Sequence, residues 1–341
     1  MTTMTEKVSP GFWRAAGKRL WADKLARGCL FILAVYFVLA LASTMGWLAK
    51  DWNKQVAVSW AAPTMVGKQQ QDSHGFKVEV IAPDAEARAL DPLTPFEAEL
   101  TAAAKAYQQE AVVLADTLPL GADKVGRDIG SKVIKAAQTS ITVGLLAALL
   151  SVAIGTVFGA VGGYFGGRLG DALEWLYSVF TSMPYILLVL AFASVLGGGV
   201  HTVILVLGFT GWTGTYRLIR SEYIKQRSRD YVLAASAIGA SDARKMFLHI
   251  LPNVSHLILV QLSQDVVNFI KAEVILSFLG FGVPVEAISW GIMINEVMPE
   301  LVLGKWWQLA TVATVMSLFV VAFGLFTDQL RDALDPKASR R

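Results

Sequence analysis

The chain has 341 residues, 54% hydrophobic and only 17% charged, with a mean hydropathy of +0.50. A soluble domain carries about 25% charged residues, so this balance excludes an ordinary water-soluble globule and points to lipid. The net charge of +3 marks no nucleic-acid binder, and the single Cys29 excludes an internal disulfide.

A helix needs about 20 apolar residues to cross a hydrocarbon core of about 30 Å. Lipid offers no partners for backbone N–H and C=O groups, so each span must be helical. The first apolar run, Gly28–Leu48, follows a basic leader with Arg14, Lys18, Arg19, Lys24 and Arg27. It is too long for a signal-peptide core of about 7–15 residues and reads as an uncleaved first span. Residues 49–138 then mix acids and bases and contain Pro63, Pro83, Pro92, Pro95 and Pro119. Within them Lys77–Ala82 predicts a short strand. Thr94, Pro95 and Glu97 predict the start of a helix over Leu93–Ala115. Five more apolar stretches follow: Thr139–Gly163, Ala172–Leu196, Val200–Leu218, Ser255–Phe281 and Trp306–Phe326. The expected fold is an all-α membrane protein with six transmembrane helices and an extracytoplasmic insert after the first.

Lys and Arg concentrate on the cytoplasmic side of membrane proteins. The leader, Arg168, the segment after the fourth span (Arg217, Arg220, Lys225, Arg227, Arg229, Arg244, Lys245) and the tail (Arg331, Lys337, Arg340, Arg341) all fall on one side of a six-span chain. The opposite short loops, Gly197–Gly199 and Gly282–Lys305, carry only Lys305. The chain therefore divides into a cytoplasmic segment 1–27, a span 28–48 and an outer segment 49–138. A five-helix core 139–327 with a cytoplasmic loop 221–254 comes next, and the tail 328–341 ends on the cytoplasmic side with the N-terminus.

That loop is the most specific stretch. Tyr231 to Ile238 is a good helix former, and Gly239 stops it. Ser241 or Asp242 caps a second helix running toward His249, and Pro252 is expected to break the pattern before the next span. Two short helices joined at a glycine make a compact docking element.

With Ala234-Ala235, Gly239 and Leu251-Pro252 at matching spacing, the loop resembles the EAA motif of binding-protein-dependent ABC permeases, with Leu233 where the motif has glutamate. Gly121-Ala-Asp123-Lys-Val-Gly126-Arg127-Asp128 resembles the GTDxxGRD signature of the oligopeptide and dipeptide branch, with Ala122 for threonine. Gln138 stands where that branch commonly has arginine. Gly162–Arg168, Glu273–Gly282, Ser289-Trp290-Gly291 and Leu330-Arg331-Asp332-Ala-Leu-Asp335-Pro336 resemble further stretches of the same branch, so the resemblance covers Leu120 to Lys337. It is to the C-type permease of type I importers, and residues 49–117 take no part in it.

The resemblance implies a coupling loop that sits in a groove of an ATPase subunit, with Tyr231, Ala234, Ala235, Gly239, Ala240, Asp242, Leu251 and Pro252 at the contact. It also implies the partners: a second, homologous permease, two cytoplasmic ATPases, an extracytoplasmic solute-binding protein and a peptide or related solute. The implied location is the cell inner membrane, in contact with lipid.

Inside the fifth span, Gln261, Gln264, Asp265, Asn268 and Lys271 fall within about a third of the helix circumference. Intramembrane charge is costly without water or a partner, so this stripe either lines the translocation path or packs against the second permease. Glu273 lies off the stripe and reads as structural. Gly155, Gly159 and Gly163 read as a helix-packing ridge, and Gly208, Gly211 and Gly214 as a place for bending. Met183-Pro184 predicts a kink. No Gly-Lys pair continues with Ser or Thr, so no phosphate-cradling loop is present and ATP hydrolysis belongs to other subunits. His74, His201, His249 and His256 are scattered, so neither metal ligation nor catalysis is expected, and no cofactor is called for. Two rival readings remain at this level: an ion-coupled transporter using Asp265, Lys271 and Glu273, and a membrane-anchored sensor or scaffold.

Overall fold

The structure is a computed structural model and describes residues 12–67, 92–106 and 114–334. It divides into two compact units, 54–128 and the remainder. The predicted strand Lys77–Ala82 lies outside the described residues.

In the larger unit, α1 (Phe12–Ala22) and α2 (Lys24–Thr44) are separated only by Asp23. The Asp23 carboxylate caps α2 by accepting from the Ala26 amide at 3.0 Å.

The smaller unit holds β1 (Ala57–Pro63), β2 (Ala115–Leu118) and α3 (Glu97–Ala106). The strands pair in parallel, Ala57 opposite Ala115 and Pro63 opposite Leu118, with a register shift between. The helix predicted over Leu93–Ala115 begins near its expected caps, but Ala115 belongs to the sheet.

The signature Gly121–Asp128 builds a tight turn in the smaller unit. The buried Asp123 carboxylate accepts from the Val125 and Arg127 amides at 2.9 and 3.0 Å and from Arg127 Nε at 2.8 Å. At Gly126, φ is +77° and an added Cβ would collide with the Ala57 carbonyl, so only glycine fits.

The larger unit is built round α4 (Ile129–Phe165), whose 37 residues reach about 55 Å at 1.5 Å per residue. It begins at Ile129, ahead of the expected Thr139, because residues 129–138 continue the same helical packing, with Ile129, Val133, Ala136 and Ala137 buried. Next come α5 (Gly167–Thr181) and α6 (Tyr185–Leu196), bent by 87° at the Met183-Pro184 break. α7 (Val200–Gly211) and α8 (Thr213–Arg227) follow, joined through Trp212. After α9 (Asp230–Ala237), a single rod α10 (Asp242–Phe278) carries the polar stripe. α11 (Trp290–Val302) and α12 (Trp307–Leu334) complete the unit.

Among the described residues, four helices are long and apolar enough to cross a membrane, α2, α4, α10 and α12, or five with the bent α5–α6 pair as one span. The fold is that of an all-α membrane protein, with two short strands among the described residues.

Three expectations need correction. Pro252 does not end the helix before it. The backbone widens to π geometry over Lys245–Ile250, where the Leu251 amide reaches back to the Met246 carbonyl. That wider turn absorbs the proline, which lacks an amide and crowds the carbonyl four residues earlier.

Gly208 and Gly211 are more than a place for bending: the helix does break beside them, between Gly211 and Thr213, but both are closely packed. A Cβ at Gly208 would stand 2.6 Å from Leu150 Cδ2, and one at Gly211 would meet Phe269.

The segment Gly282–Lys305, expected as a loop, folds its middle into α11, with Trp290, Met293 and Val297 buried.

The Gly155–Gly159–Gly163 ridge does pack as expected, against α8. Cβ atoms added there would sit 2.7 Å from the Trp212 carbonyl, 2.8 Å from that of Tyr216 and 2.6 Å from that of Arg220. Tyr36 on α2 donates to the Val315 carbonyl on α12 at 2.7 Å and stacks edgewise on Phe319, which joins the first long helix to the last.

Candidate functional site

The docking element forms for local reasons. α9 is rich in alanine, the best helix former. It ends at Gly239, with φ +80°. The Ala240 amide donates to Ala235 O at 3.0 Å and the Gly239 amide to Ser236 O at 3.0 Å, the paired closing bonds of a Schellman turn. Ser241 then caps α10, its hydroxyl accepting from the Arg244 amide at 3.3 Å.

One face of this element is anchored. Val232, Met246, Ile250 and Val254 are buried in a cluster with Ala160, Tyr164, Ile219 and Tyr223, and Ala235 is buried as well. Tyr223 donates to the Met246 carbonyl at 3.1 Å. Tyr164, at the end of α4, is the hub: its hydroxyl donates to Asp242 Oδ1 at 2.7 Å. Its carbonyl accepts from Arg227 at 2.8 Å, and Lys245 stands both 2.9 Å from Asp242 Oδ1 and over the Tyr164 ring.

The other face is open. Tyr231, Leu233, Ala234, Gly239, Asp242 and Pro252 are exposed, with Ala240 and Leu251 half-buried. Leu233 is 56% exposed and Ile238 86% exposed. Where the EAA pattern carries a carboxylate, this surface offers an apolar contact instead.

The polar stripe of α10 divides between two hollows. Asp265, Asn268 and Lys271 line a groove of about 440 Å³ together with Tyr185, Gly211 and Thr213. Asp265 is buried and accepts from Gln261 Nε2 at 2.9 Å and from Thr215 Oγ1 at 3.4 Å. Asn268 and Lys271 are exposed. Gln261 and Gln264 open instead into a hollow of about 260 Å³ with His256, Leu218 and Arg331. The sequence places all five on one face; the structure divides them between two hollows, with Gln261 still bonded to Asp265. A larger apolar groove of about 710 Å³ between α4, α5, α6 and α7 contains none of the singled-out residues.

Two buried polar clusters support this architecture. Glu273 is fully buried and accepts from Ser140 and Ser277 hydroxyls, each at 2.7 Å. Those hydroxyls in turn accept from the Trp290 and Val283 amides at 3.2 and 3.0 Å, so one carboxylate ties α4, α10 and the start of α11 together. This explains two family-like stretches: a Cβ at Gly291 would press on the Val274 carbonyl at 2.5 Å, and one at Gly282 would collide with Ser277.

The second cluster escaped sequence reasoning. Lys132, fully buried in α4, donates to Glu296 of α11. Its only sequence signal was a lysine at a position that continues the buried side of α4. Among the described residues, no group of three His, Cys, Asp or Glu side chains could hold a metal ion.

Comparison with known proteins finds membrane transport permeases. The chain is 38% identical to the dipeptide transport system permease protein DppC of Bacillus subtilis over 220 residues, which cover 64% of this chain and 69% of the relative. It is 36% identical to the oligopeptide transport system permease protein OppC of the same organism over 217 residues, 64% of this chain and 71% of the relative. With DppC of Lactococcus lactis it shares 29% identity over 338 residues, 98% of this chain and 94% of the relative, an alignment that reaches across the 49–117 segment. Residues 152–340 match the family described as "Binding-protein-dependent transport system inner membrane component". With its long apolar helices and exposed loop element, the chain belongs to this family of inner membrane transport components.

Proposed function

We propose that the chain is the C-type permease of an ATP-driven peptide importer and forms half of the translocation path for short peptides handed over by an external binding protein. Its partners in this reading are a homologous permease and two cytoplasmic ATPases. The names of the B. subtilis and L. lactis relatives support the substrate class. In this reading the chain crosses the membrane six times, with α5–α6 and α7–α8 each taken as one broken span. The 49–138 segment then lies outside and both termini lie in the cytoplasm. The distribution of Lys and Arg favours this orientation.

The observation that carries the reading is the α9–Gly239–α10 element, open on one face and tied to α4 on the other through Tyr164 and Asp242. A push on Leu233, Ile238 or Ala240 reaches α4 through a packed, hydrogen-bonded element. An ATPase closing on that face thereby moves a membrane helix, and Asp265, Asn268 and Lys271 line the route that opens and closes. A cysteine at Ala240 should crosslink to the ATPase subunit in the assembled transporter. Absence of that crosslink in an assembly that hydrolyses ATP would remove the docking assignment.

A further inference from the structure

We propose that α1 is a membrane-surface helix that binds anionic phospholipid headgroups through Arg14 and Lys18, with Trp21 seated at headgroup level. The proposal rests on the reading of α2 as a span with the leader in the cytoplasm.

Ala16 and Leu20 pack on Val260, Leu330 and Leu334, which fixes one side of α1 against the protein. At about 100° per residue, Arg14, Lys18 and Trp21 share an arc of about 60° on roughly the opposite side. All three are exposed, Trp21 by 69%.

Position does the rest. Asp23 alone separates α1 from α2, and its carboxylate is engaged in capping the span. α1 therefore cannot leave the depth at which α2 enters the bilayer. At that depth an indole with an apolar body and a polar edge finds its preferred place. Exposed Lys24 and Arg27, in the first turn of α2, add charge at the same level. Exposed Leu25, between them, and exposed Phe31, one turn further on, present apolar surface outward. An aromatic anchor flanked by cations, held at a membrane surface, complements the phosphodiesters of an acidic leaflet.

The test is hydrogen exchange of the α1 amides in the complete transporter, held in nanodiscs of phosphatidylcholine alone or mixed with phosphatidylglycerol. Exchange should be about tenfold or more slower in the anionic discs, from two engaged cations. The Arg14→Gln/Lys18→Gln double variant should lose that difference. Inorganic phosphate added to the phosphatidylcholine discs should not restore it. Equal exchange in both lipids, or full protection by free phosphate, would overturn the proposal. The α2 amides separate the two readings. Strong protection of α2 in both lipids upholds the span whatever α1 does, and fast exchange there would remove the span itself.

Discussion

The Tyr164 hydroxyl donates to Asp242 Oδ1 at 2.7 Å, and this bond joins the end of the central helix to the first turn of the rod that carries the polar stripe. Tyr164→Phe keeps the ring on which Lys245 and Arg227 rest and removes only the hydroxyl. With Asp242 largely exposed, solvent screens the bond and the loss of anchoring is small. The variant should fold and assemble normally, yet transport fewer peptides per ATP hydrolysed. Parallel assays of uptake and ATPase activity in proteoliposomes check this. An unchanged ratio would show that the bond does not couple the loop to α4.

Gly239 separates conformational from steric demands. Its φ is +80°, but an added Cβ meets nothing within 4 Å. The constraint is therefore on the backbone, about 1–2 kcal/mol for an ordinary side chain and less for asparagine. Gly239→Asn should retain most uptake, and Gly239→Val should lose most of it while remaining in the membrane. Uptake and membrane abundance measured side by side test the order. Equal loss in both variants would mean that bulk against a partner, not the turn, sets the requirement.

The α4 ridge makes the opposite demand. A Cβ at Gly159 would lie 2.8 Å from the Tyr216 carbonyl, whereas one at Gly28 meets nothing within 4 Å. Gly159→Leu should destabilise the protein by about 1–3 kcal/mol or more through overpacking, and Gly28→Leu should be nearly neutral. Thermal unfolding in mild detergent distinguishes them. Equal stability of the two variants would contradict the α4–α8 packing.

The main spans, the Pro184 bend and the Gly239 turn were legible because each depends on neighbours within a few residues. What sequence reasoning missed depends on distant partners. Lys132 reads as a surface charge until Glu296, far along the chain, is brought beside it. α11 was hidden because Asn295, Glu296, Pro299 and Glu300 interrupt its apolar pattern, while its buried side is completed by α10 and α12. Pro252 was read as a helix breaker because a π turn, which relieves the clash, leaves no trace in composition. Helical period gathers the stripe on α10 on one side, but which of its members share a hollow depends on residues far away in the chain, Tyr185 and Thr213 for one and Leu218 and Arg331 for the other.

The groove around Asp265 gives a chemical test. In a Cys29→Ala background, a cysteine at exposed Asn268 should react with small polar thiol reagents in the assembled transporter. The rate should change several-fold between nucleotide-free and ATP-trapped states, as alternating access wets the route from one side at a time. Complete protection in every state would assign this side of α10 to the contact with the second permease.

The account stands most directly on ATP-dependent uptake by the complete transporter reconstituted in proteoliposomes. A labelled dipeptide supplied with the external binding protein should accumulate only with ATP inside. Accumulation should stop when the phosphate-binding lysine of the partner ATPases is replaced. Uptake that persists with those inactive ATPases, driven by a proton or sodium gradient across the membrane, would contradict the account and show that this chain moves its solute without them.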